Sequence, residues 1–104
     1  MTTANLTIVS GNKEDEANLW IWHDGYQVDR CFEKMLKEFT FHHFEVNGLR
    51  AHFMNLEKED GFVEAKKDDG IGDYSWVLTI IDEKHAVLVG SGTEGTTTKW
   101  YEVK

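Results

Sequence analysis

The stretch that most constrains this chain is Thr40–Asn55, where two runs rich in aromatic and apolar residues flank Asn47-Gly48. Asn and Gly both accept the positive φ angles of a type I′ turn, so the step is a strong short-range hairpin signal. A two-residue turn fixes the register. It sets Val46 opposite Leu49, Glu45 opposite Arg50, Phe44 opposite Ala51, and His43 opposite His52. Side chains alternate across a strand, so the expected hairpin has two unlike faces. His42, Phe44, Val46, Leu49, Ala51 and Phe53 form a mostly apolar face directed at the core. Phe41, His43, Glu45, Arg50, His52 and Met54 form the other.

A helix is expected just before this stretch. Asp24-Gly25-Tyr26-Gln27 resembles a capping box, with Asp24 and Gln27 each satisfying an amide of the first turn. Val28, Cys31, Phe32, Met35, Leu36 and Phe39 then recur at helical spacing, so the helix runs from about Gly25 to Phe39 with one apolar stripe. Packed on the apolar face of the hairpin, it would bury both. Short β-rich runs account for the remainder: Leu6–Ser10, Leu19–Trp22, Phe62–Lys66, Tyr74–Ile81, Ala86–Gly90 and Thr97–Val103. Tyr74–Ile81 is apolar on both faces, which places it at the sheet centre. The reading is a single α+β domain over residues 1–104. It has one antiparallel sheet of about six strands, curled in part at its glycine-bearing hairpins, with one amphipathic helix on one face.

Composition narrows the function. The net charge of −8 argues against direct nucleic-acid binding, which needs clustered Lys and Arg, and against anionic membranes. It suits a partner with a basic surface, or mimicry of nucleic acid in a basic groove. Between Asn55 and Asp73, seven carboxylates face three lysines. The expected partner-binding residues are therefore Glu57, Glu59, Asp60, Asp68, Asp69 and Asp73, together with Glu14, Asp15 and Glu16 of the earlier acidic turn. Trp20 and Trp22 lie on one face of their strand and offer an aromatic platform beside that turn; the rival reading puts them in the core. Trp76 and Trp100 read as core. A lone cysteine, Cys31, excludes an internal disulfide and points to the cytoplasm. No leader or apolar span is legible.

Several chemical motifs lose to plainer readings. His43 and His52, with Glu45 along the same strand, form a candidate metal pair, but spacing secures no third ligand. Gly90-Ser91-Gly92-Thr93-Glu94-Gly95 has dinucleotide-loop spacing, yet a strand follows where a helix is required. Asp68, Asp69 and Asp73 do not fit an EF-hand. Cys31 sits on the apolar stripe, as a core thiol does. His23, His42 and His85 have no readable partner.

No catalytic constellation or cofactor follows. The expectation is a non-enzymatic binding or inhibitor protein engaging a basic partner, similar in size and acidity to immunity proteins and phage-encoded inhibitors. The alternatives are a small-molecule binder with an aromatic-lined pocket, and a small metalloprotein using His43 and His52.

Overall fold

The computed structural model describes residues 2–12, 15–56, 61–66, 70–93 and 95–103. Six strands and two helices follow in the order β1 (Ala4–Ser10), β2 (Glu16–Ile21), a 3₁₀ turn (Gly25–Gln27), α1 (Val28–Glu38), α2 (Val46–Met54), β3 (Val63–Glu64), β4 (Tyr74–Ile80), β5 (His85–Gly92) and β6 (Gly95–Glu102). The strands form one sheet in the order β3-β2-β1-β4-β5-β6. Two antiparallel units, β1–β2 and β4–β5–β6, are joined by parallel pairing of β1 with β4. The sheet is thus mixed, which corrects the all-antiparallel reading. A parallel neighbour needs a long crossover, usually helical. Here the chain between β2 and β4 supplies it and contains both helices.

The second helix overturns the hairpin. Asn47 and Gly48 lie in the first turn of α2, and the pairing that would set His43 opposite His52 does not form. Val46, Leu49 and Phe53 satisfy helical spacing as well as strand alternation, and all three are at most 4% exposed. Burying each contributes about 1.5–3 kcal/mol. The expected hairpin would turn the same three residues to the core, so the outcome rests on how closely the helix fits its neighbours. Phe53 closes the packing, with its ring 5.8 Å from Phe32 and 4.9 Å from Phe62. The residues before α2 form a link instead of a strand. Phe44 N–H donates to Glu83 O at 2.7 Å, and the His42 carbonyl accepts from Lys84 Nζ at 2.7 Å, which ties the link to the β4–β5 turn.

Helix α1 carries the expected stripe, with Val28, Cys31, Phe32 and Met35 buried. Phe39 lies beyond its end and is exposed. The capping box is absent. Asp24 takes a left-handed φ of 60° and makes no side-chain cap. Its carbonyl accepts from Gln27 N–H at 2.9 Å, closing the 3₁₀ turn with backbone alone. Gly25 is required there because a Cβ would lie 2.6 Å from the Thr3 backbone.

Both helices cover the same sheet face. Ala4, Leu6, Ile8, Leu19, Ile21, Trp76, Leu78, Ile80, Ala86 and Leu88 meet them in the core. Strand β4 is central, as expected, but its second face is uncovered: Val77 is 39% exposed. Gly90 and Gly92 belong to β5, not to a phosphate loop. A Cβ at Gly90 would sit 2.4 Å from the Trp76 ring, and one at Gly92 2.3 Å from the Tyr74 ring. The glycine spacing therefore answers two aromatic residues on the neighbouring strand. Trp76 is further fixed by its Nε1–H, which donates to Gly25 O at 2.6 Å.

Candidate binding surface

Pairing and alternation define the uncovered face. One row crosses it as Asn18, Thr7, Val77, Val89 and Thr98; the next runs Glu16, Val9, Thr79, Val87 and Trp100. Glu16 is the only charged member of these rows, in a chain that is 29% charged. Trp100 is 70% exposed, and Ile81, one step beyond Thr79, is 48% exposed. This corrects the expectation that Trp100 is core. Strand β6 alternates Thr96, Thr98, Trp100 outward from the helices and Thr97, Lys99, Tyr101 towards them. The alternation was present in the sequence, but the side of the sheet that stays bare was not.

The two ends of this face differ, one polar and one aromatic. At one end His85 pairs with Glu102 across β5–β6; its Nε2 lies 3.9 Å from Glu102 Oε2, and its Nδ1 2.8 Å from Asp82 Oδ1. The hydrogen bond from His85, then the Lys84 amide, holds the Asp82 carboxyl below its ordinary value. At the other end Trp20 is only 2% exposed, with the Trp22 ring edge-on to it at 5.3 Å. Trp22 is 48% exposed. Trp20 is sealed, and Trp22 covers it and faces outward. Trp20 Nε1 has no hydrogen-bond partner among the described residues.

Beside β6, on the helix side, runs a groove of about 540 Å³. Leu36 and Lys37 of α1, Phe39 and Phe41 of the following link, and Trp100, Tyr101 and Val103 are among the residues lining it. Its floor is braced by a polar cluster. Lys99 Nζ lies 2.8 Å from Asp29 Oδ2 and 3.2 Å from Glu33 Oε2, while Tyr101 O–H donates to Glu33 Oε2 at 2.7 Å. The hydrogen bonds to Asp29 and Glu33 raise the Lys99 pKa. Burial, then the Glu33 carboxylate, pushes the Tyr101 phenol well above its usual value. These groups hold α1 to the sheet.

The sequence-derived acidic site is only partly visible. Glu14, Glu57, Glu59, Asp60, Asp68 and Asp69 lie outside the described residues. Asp15 and Glu16 are exposed at the start of β2. Asp73 is a clasp: its Oδ2 accepts from Thr3 N–H at 3.0 Å, and its own N–H donates to Thr3 Oγ1 at 3.1 Å, fastening the start of β4 to β1.

The two histidines go separate ways. His43 Nε2 lies 3.7 Å from Glu45 Oε2. His52 Nδ1–H donates to Gly48 O at 2.8 Å, and its ring lies between Phe39 and Phe41 at 5.1 and 4.8 Å. Arg50, expected against Glu45, pairs with Glu64 through Nε at 2.8 Å. Among the described residues no group of three His, Cys, Asp or Glu side chains is placed to hold a metal ion. No described helix is long and apolar enough to cross a membrane. Compared with known proteins, the chain matches no family model, no curated protein and no solved structure.

Proposed function

We propose that this chain is a small, non-enzymatic protein-binding module of the cytoplasm. Its contact surface is the bare face of the sheet, centred on Val77, Val87, Val89 and Trp100. One observation carries the reading: a chain of net charge −8 keeps two rows across its sheet almost free of charge and leaves a tryptophan 70% exposed on them. Interfaces have this anatomy, with charge depleted at the centre, aromatic anchors, and a polar rim. Isolated apolar residues on a surface are ordinary, but contiguous apolar patches mark interaction sites. The rim, with Glu16, Asp82 and Glu102, and the carboxylates concentrated in 57–60 and 68–73, select a partner whose own apolar patch is ringed by Lys and Arg. Occupation of a basic enzyme groove, as an inhibitor would do, is the form this takes most naturally.

The test is capture by immobilised protein at about 0.1 M and about 1 M salt, where the screening length falls from about 10 Å to about 3 Å. Wild type retains a partner at low salt, and Val77→Lys retains much less of it. A protein that captures nothing, or captures equally well after Val77→Lys, contradicts the proposal.

A second reading has its own observation, the groove beside β6. Its size lies within the range of small-molecule sites, and its lining is aromatic. An apolar dye binding there, and lost on filling the groove by Leu36→Trp, would favour it.

A further inference from the structure

We propose that the outer edge of β6 takes up an extended, basic segment of the partner as a seventh strand, with alternate side chains in the groove. This deepens, and rests on, the protein-binding reading. The sheet has two edges of very different kinds. β3 is a strand of only two residues, whereas β6 has eight and stands last in the sheet order. The sidedness of its backbone follows from two hydrogen bonds. Val103 N–H donates to Lys84 O at 2.8 Å, and on the far side of β5 Ile81 N–H donates to His85 O at 2.9 Å. In an antiparallel ladder such pairs alternate. Thr97, Lys99 and Tyr101 therefore bond inward to Gly90, Leu88 and Ala86, while Thr96, Thr98, Trp100 and Glu102 aim N–H and C=O outward.

Long free edges invite strand addition, and proteins that avoid it use proline, bulges or short strands. β6 uses none of these. The chain contains no proline, and the β5–β6 register runs unbroken from His85–Glu102 to Gly92–Gly95. The one lysine of the strand, Lys99, is occupied by Asp29 and Glu33 on the helix side. That cluster also braces the edge before anything binds, which reduces the ordering cost of association.

The occupant follows from the surroundings. The outward amides and carbonyls demand an extended backbone. On the groove side, Phe39, Phe41 and Leu36 take apolar side chains. On the bare face, Trp100 and Glu102 take Lys or Arg, by contact with the indole face and by charge. A second copy of this chain would bring −8 against −8 and is disfavoured.

The probe is a short, capped peptide alternating valine and lysine, compared with the same peptide N-methylated along one backbone edge. Backbone amide exchange is read by NMR. The expected result is protection of Thr96, Thr98, Trp100 and Glu102 on binding, with Thr97, Lys99 and Tyr101 unchanged. Methylation of the pairing edge, or Thr98→Pro, weakens binding about tenfold or more. No binding, protection elsewhere, or equal binding of the methylated peptide overturns the proposal. So does sedimentation showing a dimer with those same amides protected without peptide, which would give the edge to a second copy. Partner capture that depends on Val77 but survives Thr98→Pro leaves the protein-binding reading standing and removes the edge; loss of all capture removes both.

Discussion

Adjacent threonines on β6 provide an internal control for the ladder. Thr97 pairs with Gly90 and bonds inward, while Thr98 pairs with Val89 and points its N–H away from the sheet. Proline at either position fixes φ near −65° and removes the amide hydrogen. At Thr98 the lost donor faces solvent, a position that edge strands tolerate. At Thr97 the loss strips the buried Gly90 carbonyl of its N–H donor, and an orphaned buried acceptor costs about 1–3 kcal/mol. Thr97→Pro is therefore expected to be less stable than Thr98→Pro by about 2 kcal/mol. The unfolding entropy for a chain of this length is about 0.2 kcal/mol/K, so the midpoints should differ by about 10 °C. Thermal melts followed by circular dichroism, with urea midpoints as a check, measure the difference. Equal destabilisation, or a larger loss at Thr98, would refute the sidedness assigned to β6 and the strand-addition proposal with it.

Further expectations concern the core and the polar brace. Phe32 is fully buried and its ring touches those of Phe44, Phe53 and Tyr101, so Phe32→Ala should cost about 3–5 kcal/mol by urea unfolding; a loss near that of a surface substitution would contradict the packing described. The folded pKa values of Lys99 and Tyr101 are raised above 10.5 and 10.0, so the fold holds both protons more tightly than the unfolded chain does. Their stabilisation is complete below about pH 10 and declines as pH rises from there through the folded values. Urea midpoints between about pH 8 and pH 11 should fall, and Tyr101→Phe should flatten the fall; an unchanged slope in that variant would remove Tyr101 from the account.

Much of this architecture was legible locally. The α1 stripe, the runs that became β1, β2, β4, β5 and β6, and the buried thiol of Cys31 all follow from periodicity. The failures are informative because each is a place where non-local packing decides. Val46, Leu49 and Phe53 fit either a hairpin face or a helix stripe, and the turn signal at Asn47-Gly48 chose the wrong one. Packing of Phe53 between Phe32 and Phe62 chose the other. With α2 missing from the reading, no crossover existed, so the parallel β1–β4 pair had no cause. The same omission hid the surface. Val77 and Trp100 look like core residues until it is known that both helices lie on the opposite face. Asp73 is exposed, as a surface carboxylate should be, and it also accepts from the backbone and hydroxyl of Thr3, a contact that no local pattern encodes.

Trp100 is the proposed anchor of the interface. Its side chain is 70% exposed, so Trp100→Ala should leave stability within about 0.5 kcal/mol of wild type. As an interface anchor it should contribute about 2 kcal/mol or more to binding. The decisive measurement is the dissociation constant of wild type and Trp100→Ala for the captured partner, with both proteins checked for equal thermal midpoints. A weakening of about 30-fold or more at unchanged stability is expected. Equal affinities at equal stability would contradict that role.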